Sequence, residues 1–271
     1  MLELPPVPEY ASPVDMVVPG LAYGAAMLLI TFLASISPPL KAIEWEKRLY
    51  CATCAASIVN ATVTCVPAFH ALWHMYNAGF NLDCGLAGTT NLLKMHAPPT
   101  GSFATALVCG YFAQDSLLMI LYPKEMKAGL GGSSAYKIMW MHHLVSLIVW
   151  PYGLTHDTGV VFVVYFIATE ATNIGANIFA LANRGGFFVK QQLAIGILWM
   201  ISFAVIRVIP VPYILYAYAK THLSFGPSCG LTTPEFIVSL ITVPIPIGLN
   251  LFWFYKIVSK ARRMIFPKKK A

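Results

Sequence analysis

Seven apolar runs, each of about 18 residues or more, follow one another along the chain, and they constrain the fold more than any motif does. A run of that length crosses a hydrocarbon core of about 30 Å as a helix. Surroundings without water leave backbone polar groups no outside partner, so helices are the expected form. The runs lie near residues 16–36, 49–73, 101–122, 137–154, 159–181, 189–219 and 235–259. Only 11% of the residues are charged, against roughly 25% in ordinary soluble domains. The expectation is all-α: a polytopic membrane protein with seven transmembrane helices.

The lysines and arginines orient those helices. With the carboxyl terminus assigned to the cytosol, fifteen of the eighteen fall on the cytosolic side. Lys94 and Lys220 fall on the other side, and Arg207 lies within a span. This is the positive-inside asymmetry, so the net charge of +7 needs only anionic headgroups and no nucleic acid. The first 15 residues carry Glu3, Glu9 and Asp15 but no lysine or arginine, which disfavours a cleaved signal peptide and favours a retained first helix. Lys268-Lys269-Lys270-Ala271 has lysines third and fourth from the end. That spacing resembles the dilysine retrieval signal of endoplasmic-reticulum membrane proteins.

An ionisable residue at membrane depth is costly and marks a cavity, a partner or a function. The third run carries Asp115, the fourth His142 and His143, the fifth Glu170 with Asn173 and Asn177, and the sixth Arg207. At about 1.5 Å per residue, the histidines lie roughly 8 Å from the cytosolic end of their helix, and Asp115 roughly 10 Å from the same end of an antiparallel neighbour. Adjacent helix positions point about 100° apart, so the two imidazoles are expected to divide their work. His142 shares a face with Ser146. One ring can meet a polar cavity while the other is held by a neighbour, and an aspartate beside a histidine fixes its tautomer for base or nucleophile chemistry. Glu170, Asn173 and Asn177 form one polar stripe, with Arg207 as the available counter-ion; interhelical packing and the lining of a lipid site both account for them.

Other features carry less. His70 and His74 have the i, i+4 spacing of metal ligands, but an imidazole and aromatic belt with Trp73 and Tyr76 at the interface explains them. Cys51 and Cys54 have no second ligand pair and read as packing residues. Cys84 and Cys229 fall in the two longest lumenal loops, where a disulfide is open to them. The Asn60-Ala61-Thr62 sequon lies within a span and is expected to stay unglycosylated. The seventh run lacks the lysine that retinal requires, and the short motifs of G-protein-coupled receptors are missing. No interrupted helix pair or inverted repeat suggests a transporter.

In order along the chain stand Gly110-Tyr111-Phe112 with Asp115, Trp140-Met141-His142-His143 with Ser146, Glu170-Ala171-Thr172-Asn173, Arg207 before Pro210, and Leu249-Asn250-Leu251-Phe252-Trp253-Phe254-Tyr255-Lys256. This series resembles the TLC (TRAM, LAG1, CLN8 homology) domain family, most closely its small TLC domain-containing members, and covers about residues 44–263. The resemblance implies that spans two to seven form a helical bundle around a lipid cavity. It divides the chain into residues 1–43, with a lumenal terminus and the first helix, the TLC domain at 44–263, and a basic cytosolic tail at 264–271.

Ceramide synthases are distant members, and their paired histidines serve acylation of an amine by acyl-CoA. The resemblance carries His142 and His143 over, but not the His-Asp-x-x-Asp segment of those enzymes; here His156-Asp157 falls in a lumenal turn. The implied function is lipid homeostasis at the endoplasmic reticulum. It takes the form either of acyl transfer to a lipid amine or hydroxyl, with Asp115, His142 and His143 as catalytic residues, or of non-enzymatic lipid binding that regulates membrane composition. Ser146, Glu170, Asn173, Asn177 and Arg207 are the expected lipid-binding residues. Acyl-CoA is the expected co-substrate of the first form, and no bound cofactor or metal is expected. Membrane lipids are the expected partners, with a homo-oligomer open.

Overall fold

The computed structural model describes residues 13–79, 92–223 and 231–266. The expectations for Cys84, Cys229 and Lys268 to Lys270 lie outside them. Twelve α-helices succeed one another among the described residues: α1 (Pro13–Ile36), α2 (Pro38–Lys41), α3 (Trp45–Ala78), α4 (Pro99–Leu121), α5 (Pro123–Leu130), α6 (Ser133–Thr155), α7 (Val160–Thr169), α8 (Thr172–Gly185), α9 (Gln192–Phe203), α10 (Val211–Tyr218), α11 (Thr233–Thr242) and α12 (Pro244–Ile265). The protein is an all-α polytopic membrane protein. Six helical stretches are long and apolar enough to cross a membrane, and six of the seven expected spans coincide with them. The remaining one is α6, with 23 residues. Lys137, His142 and His143 cost it the apolar character of the others, while its length matches theirs.

Small residues bring α1 and α4 into backbone contact, as is common where bundles pack in lipid. A Cβ added at Gly24 would stand 2.7 Å from the Gly110 carbonyl oxygen, and one at Gly110 would collide with the Gly20 carbonyl. Gly110→Ala is therefore expected to force α1 away at a cost of about 1–3 kcal/mol. Gly248→Ala, where nothing lies within 4 Å of the new methyl, should leave the thermal midpoint of the detergent-extracted protein unchanged or slightly higher.

Three of the expected continuous spans are interrupted. The fifth turns at Glu170 and Ala171 between α7 and α8. The sixth passes through a π-helical turn, Ala204–Val208, ahead of α10. The seventh changes direction at Val243, where Pro244 and Pro246 open α12. These irregularities are not visible as an interrupted helix pair in the sequence, and each stretch remains long and apolar enough to cross a membrane. Nothing in Glu170-Ala171-Thr172 breaks a helix by propensity; the break persists because Arg207 takes up the exposed Thr169 carbonyl with Nε at 3.2 Å and Nη2 at 2.8 Å. On the other side, the Tyr165 hydroxyl donates to the Ile206 carbonyl within the π turn at 2.6 Å. One carbonyl at each irregularity is thus met by a side chain of the neighbouring span, which suits the poorly hydrated interior of a bundle.

The two ends of the bundle are fastened differently. At the end poor in cations, Lys94 reaches Glu235 at 2.7 Å and the His156 carbonyl at 2.9 Å, and Glu235 also closes a capping box with Thr232 at the start of α11. At the basic end, Lys124 pairs with Glu46 at 2.7 Å, holding α5 to the start of α3.

Candidate functional site

Between α3, α4, α6, α8, α9 and α12 lies a cavity of about 400 Å³, within the roughly 300–1,000 Å³ of typical small-molecule sites. It occupies the half of the bundle toward the basic end. Helices α4, α8 and α12 run into that end and α3 and α6 leave it, so the residues they contribute converge there from opposite directions. Asp115, His142, His143, Glu170, Asn173, Asn177 and Arg207 all line the cavity. Ser146 does not: it is buried on α6, a turn beyond the cavity floor. The expected polar face shared with His142 stops there, because Phe112 and Trp150 pack around the His142 ring at centroid separations of 5.2 and 6.5 Å.

The two histidines have different surroundings. His143 is buried, stacked on Phe112 with centroids 4.7 Å apart. Its Nδ1 lies 3.5 Å from Ser116 Oγ and 3.7 Å from Asp115 Oδ2. The second of these is a close approach, longer than a hydrogen bond. An imidazole whose Nδ1 donates to a carboxylate presents Nε2 as the proton acceptor, an arrangement that a small approach of the Asp115 and His143 side chains would complete. His142 has no hydrogen-bond partner among the described residues and is surrounded by rings, including Trp253 at 5.5 Å. Both histidines line the cavity.

The second polar group is closed on itself. Arg207 donates to Thr169 O, Thr172 Oγ1, Asn250 Oδ1, Glu170 Oε1 and Asn173 Oδ1 at distances from 2.8 to 3.3 Å. Asn173 Nδ2 donates to Glu170 Oε2 at 2.6 Å. Asn177 Nδ2 donates to Ser57 Oγ and to the Asn173 carbonyl at 2.9 and 2.7 Å. Every nitrogen of the guanidinium is thus occupied by protein. Arg207 and Glu170 form the cavity floor and hold the helix break, while the faces of the asparagines and His142 remain toward the space.

Some lining residues escaped the sequence reading. Ser57, Tyr111, Trp199 and Trp253 line it, as do Arg184, Lys256 and Lys260 toward the basic end, the first two of these exposed. Ser116 and Asn250 act one step back, on His143 and Arg207. Asn250 and Trp253 stood in the segment that carried the resemblance; Ser57 and Ser116 had no signal beyond their neighbours. At the other end of the bundle, His70 Nδ1 is 3.3 Å from Thr100 Oγ1 and the His70 and His74 rings lie 4.9 Å apart. No group of three or more His, Cys, Asp or Glu among the described residues is arranged to hold a metal.

The class of protein these features define is a polytopic helical bundle with a cavity between its helices, with Asp115 beside His143 on one wall and the Arg207–Glu170 pair across from it. The family model of the TLC domain (TRAM, LAG1, CLN8) matches residues 50–259, and the chain belongs to this family. That membership makes it a membrane protein of lipid metabolism or lipid sensing. No individual curated protein matched the chain.

Proposed function

We propose that this protein resides in the endoplasmic-reticulum membrane with its carboxyl terminus cytosolic, and that it transfers an acyl group from acyl-CoA to the amine or hydroxyl of a lipid held in the cavity. The observation that carries the reading is the union of Asp115, His143 and the unpartnered His142 on one cavity wall toward the basic end. The lysine and arginine asymmetry supports the orientation, and it puts the cavity mouth on the side where acyl-CoA arrives.

In this reading an imidazole accepts the proton of the lipid nucleophile as it attacks the thioester carbonyl. The new C–N or C–O bond forms, the C–S bond breaks, and the departing CoA sulfur takes the proton back from the imidazolium. Asp115 stabilises that imidazolium and holds its orientation. The side-chain surroundings support a division of roles, with His143 positioned beside Asp115 and Ser116 and His142 facing the ligand.

The closed hydrogen bonding of Arg207 and Glu170 favours a second reading, in which the cavity binds a lipid without turnover and the protein regulates membrane composition. Purified protein in nanodiscs, supplied with labelled long-chain acyl-CoA and an extract of endoplasmic-reticulum lipids, separates the two. The first reading predicts a labelled acylated lipid and stoichiometric free CoA. Retained lipid with no label transfer would overturn it in favour of the second.

A further inference from the structure

The cavity has a charge imbalance that the chemistry above does not use. Of its two carboxylates, Glu170 is bonded to Arg207 and Asp115 faces His143 at 3.7 Å. Arg184 on α8 and Lys256 and Lys260 on α12 also line it, and no ion pair among the described residues includes them. Orientation alone would scatter such cations over the basic end. Here they are selected by face: Lys256 and Lys260, one turn apart, line the cavity, whereas Arg262 and Arg263 of the same helix do not. Lys260 is further held at the opening, its Nζ 4.5 Å above the ring of the wall residue Phe179. Arg184 is anchored by one nitrogen on the Ala128 carbonyl at 2.9 Å. It stands about 16 Å along α8 from Asn173, by helical rise.

The walls between mouth and floor are largely apolar, with Leu193, Ile197, Phe203 and Ile257 among them. A ligand satisfying both regions carries concentrated negative charge at one end and an apolar body below it. Arg184 and Lys256 are exposed and Lys260 half-buried, and Lys256 Nζ rests 5.3 Å from the Phe252 ring just outside the lining. Three cations without carboxylates suit the oxygens of a phosphate group, which accept several charge-assisted hydrogen bonds at once. We propose that Arg184, Lys256 and Lys260 form a phosphate-binding collar at the cavity mouth, and that the cavity's occupant is a phosphate-bearing amphiphile. The phosphate belongs either to an anionic phospholipid headgroup or to the CoA portion of an acyl-CoA. The inference rests on the reading of the cavity as a lipid site and names the chemistry that site selects.

The test uses the full chain in a non-ionic maltoside micelle, with the fluorescence of the lining residues Trp199 and Trp253 as the readout. The probes are dioctanoyl phosphatidic acid, its neutral twin dioctanoylglycerol, palmitoyl-CoA and inorganic phosphate. A phosphate-bearing probe is expected to bind at least about tenfold more tightly than the neutral twin, the equivalent of one charged hydrogen bond, with the advantage shrinking as salt rises. The combined R184Q, K256Q and K260Q variant should lose that preference while keeping its affinity for dioctanoylglycerol, which also reports that it is folded. K256R with K260R should keep the preference. The tighter of phosphatidic acid and palmitoyl-CoA identifies the source of the phosphate, and competition by inorganic phosphate alone supports recognition of the anion itself. Equal binding of the neutral twin by the wild type, or an undiminished preference in a folded glutamine variant, overturns the collar and leaves the lipid site standing. Failure of every amphiphile to bind overturns both.

Discussion

Arg207→Ala should lower the thermal midpoint of the detergent-extracted protein by roughly 10 °C, from a loss of about 3–5 kcal/mol, the usual cost of leaving one member of a buried ion pair without its partner. The loss extends beyond the pair with Glu170. The same guanidinium satisfies the Thr169 carbonyl at the break between α7 and α8 and holds the Asn250 side chain of α12, so its removal leaves several buried polar groups without their protein partner. Net stabilities of about 5–15 kcal/mol make this a large fraction of the whole. Removing the stranded charge with Glu170→Gln in the Arg207→Ala background should recover part of the loss and not all of it, because the carbonyl and Asn250 remain unpaired. Size-exclusion profiles after stepwise heating measure the effect. A midpoint within about 2 °C of wild type, less than 1 kcal/mol for a chain of this size, would contradict the assignment of Arg207 as the residue that holds the break.

That assignment changes what Arg207 and Glu170 mean. Both were legible in the sequence because a charge at membrane depth is rare and costly, yet their type and spacing fit a lipid-contacting pair as well as an internal one. Only the geometry distinguishes them, through the number of protein acceptors gathered around the guanidinium. The break they support could not be read from Glu170-Ala171-Thr172, since no glycine or proline marks it. By contrast, the meeting of Asp115 with His143 was legible from depth alone: two helices adjacent in sequence must run antiparallel, and residues at matching depth on them can touch. Depth carries no rotational information, however, which is why Ser146 was grouped with His142 and Ser116 was missed. The mouth cations were visible but absorbed into the orientation signal, because counting charges on one side of a membrane does not say which face of a helix they occupy.

The same reasoning explains which parts of the fold could be anticipated. Apolar run length locates spans well, and the 23-residue α6 shows where the criterion weakens: the polar groups that give a helix its chemistry also reduce its apolar character. Bends at Val243 and in the π turn before Pro210 follow from prolines that were visible, but their direction depends on which side chain meets the freed backbone group.

The central claim is that His142 and His143 react at a bound lipid and do more than hold it. His143→Ala removes the ring that Asp115 and Ser116 orient, and His142→Ala removes the ring open to the cavity; neither touches the hydrogen bonds of the Arg207 floor. The folded bundle should therefore survive in the double alanine variant, and lipid should still be held by the apolar walls, though less tightly without the ring that faces it. Loss of a positioned proton acceptor costs about 10²–10⁴ in rate, and a single-turnover measurement with labelled acyl-CoA in nanodiscs reads that loss directly. Mass spectrometry of lipid in the same preparation reports occupancy of the cavity. Lipid should still be detected in the cavity while acyl transfer falls by at least about a hundredfold; transfer at the wild-type rate by the double variant would contradict a reactive role for the histidines.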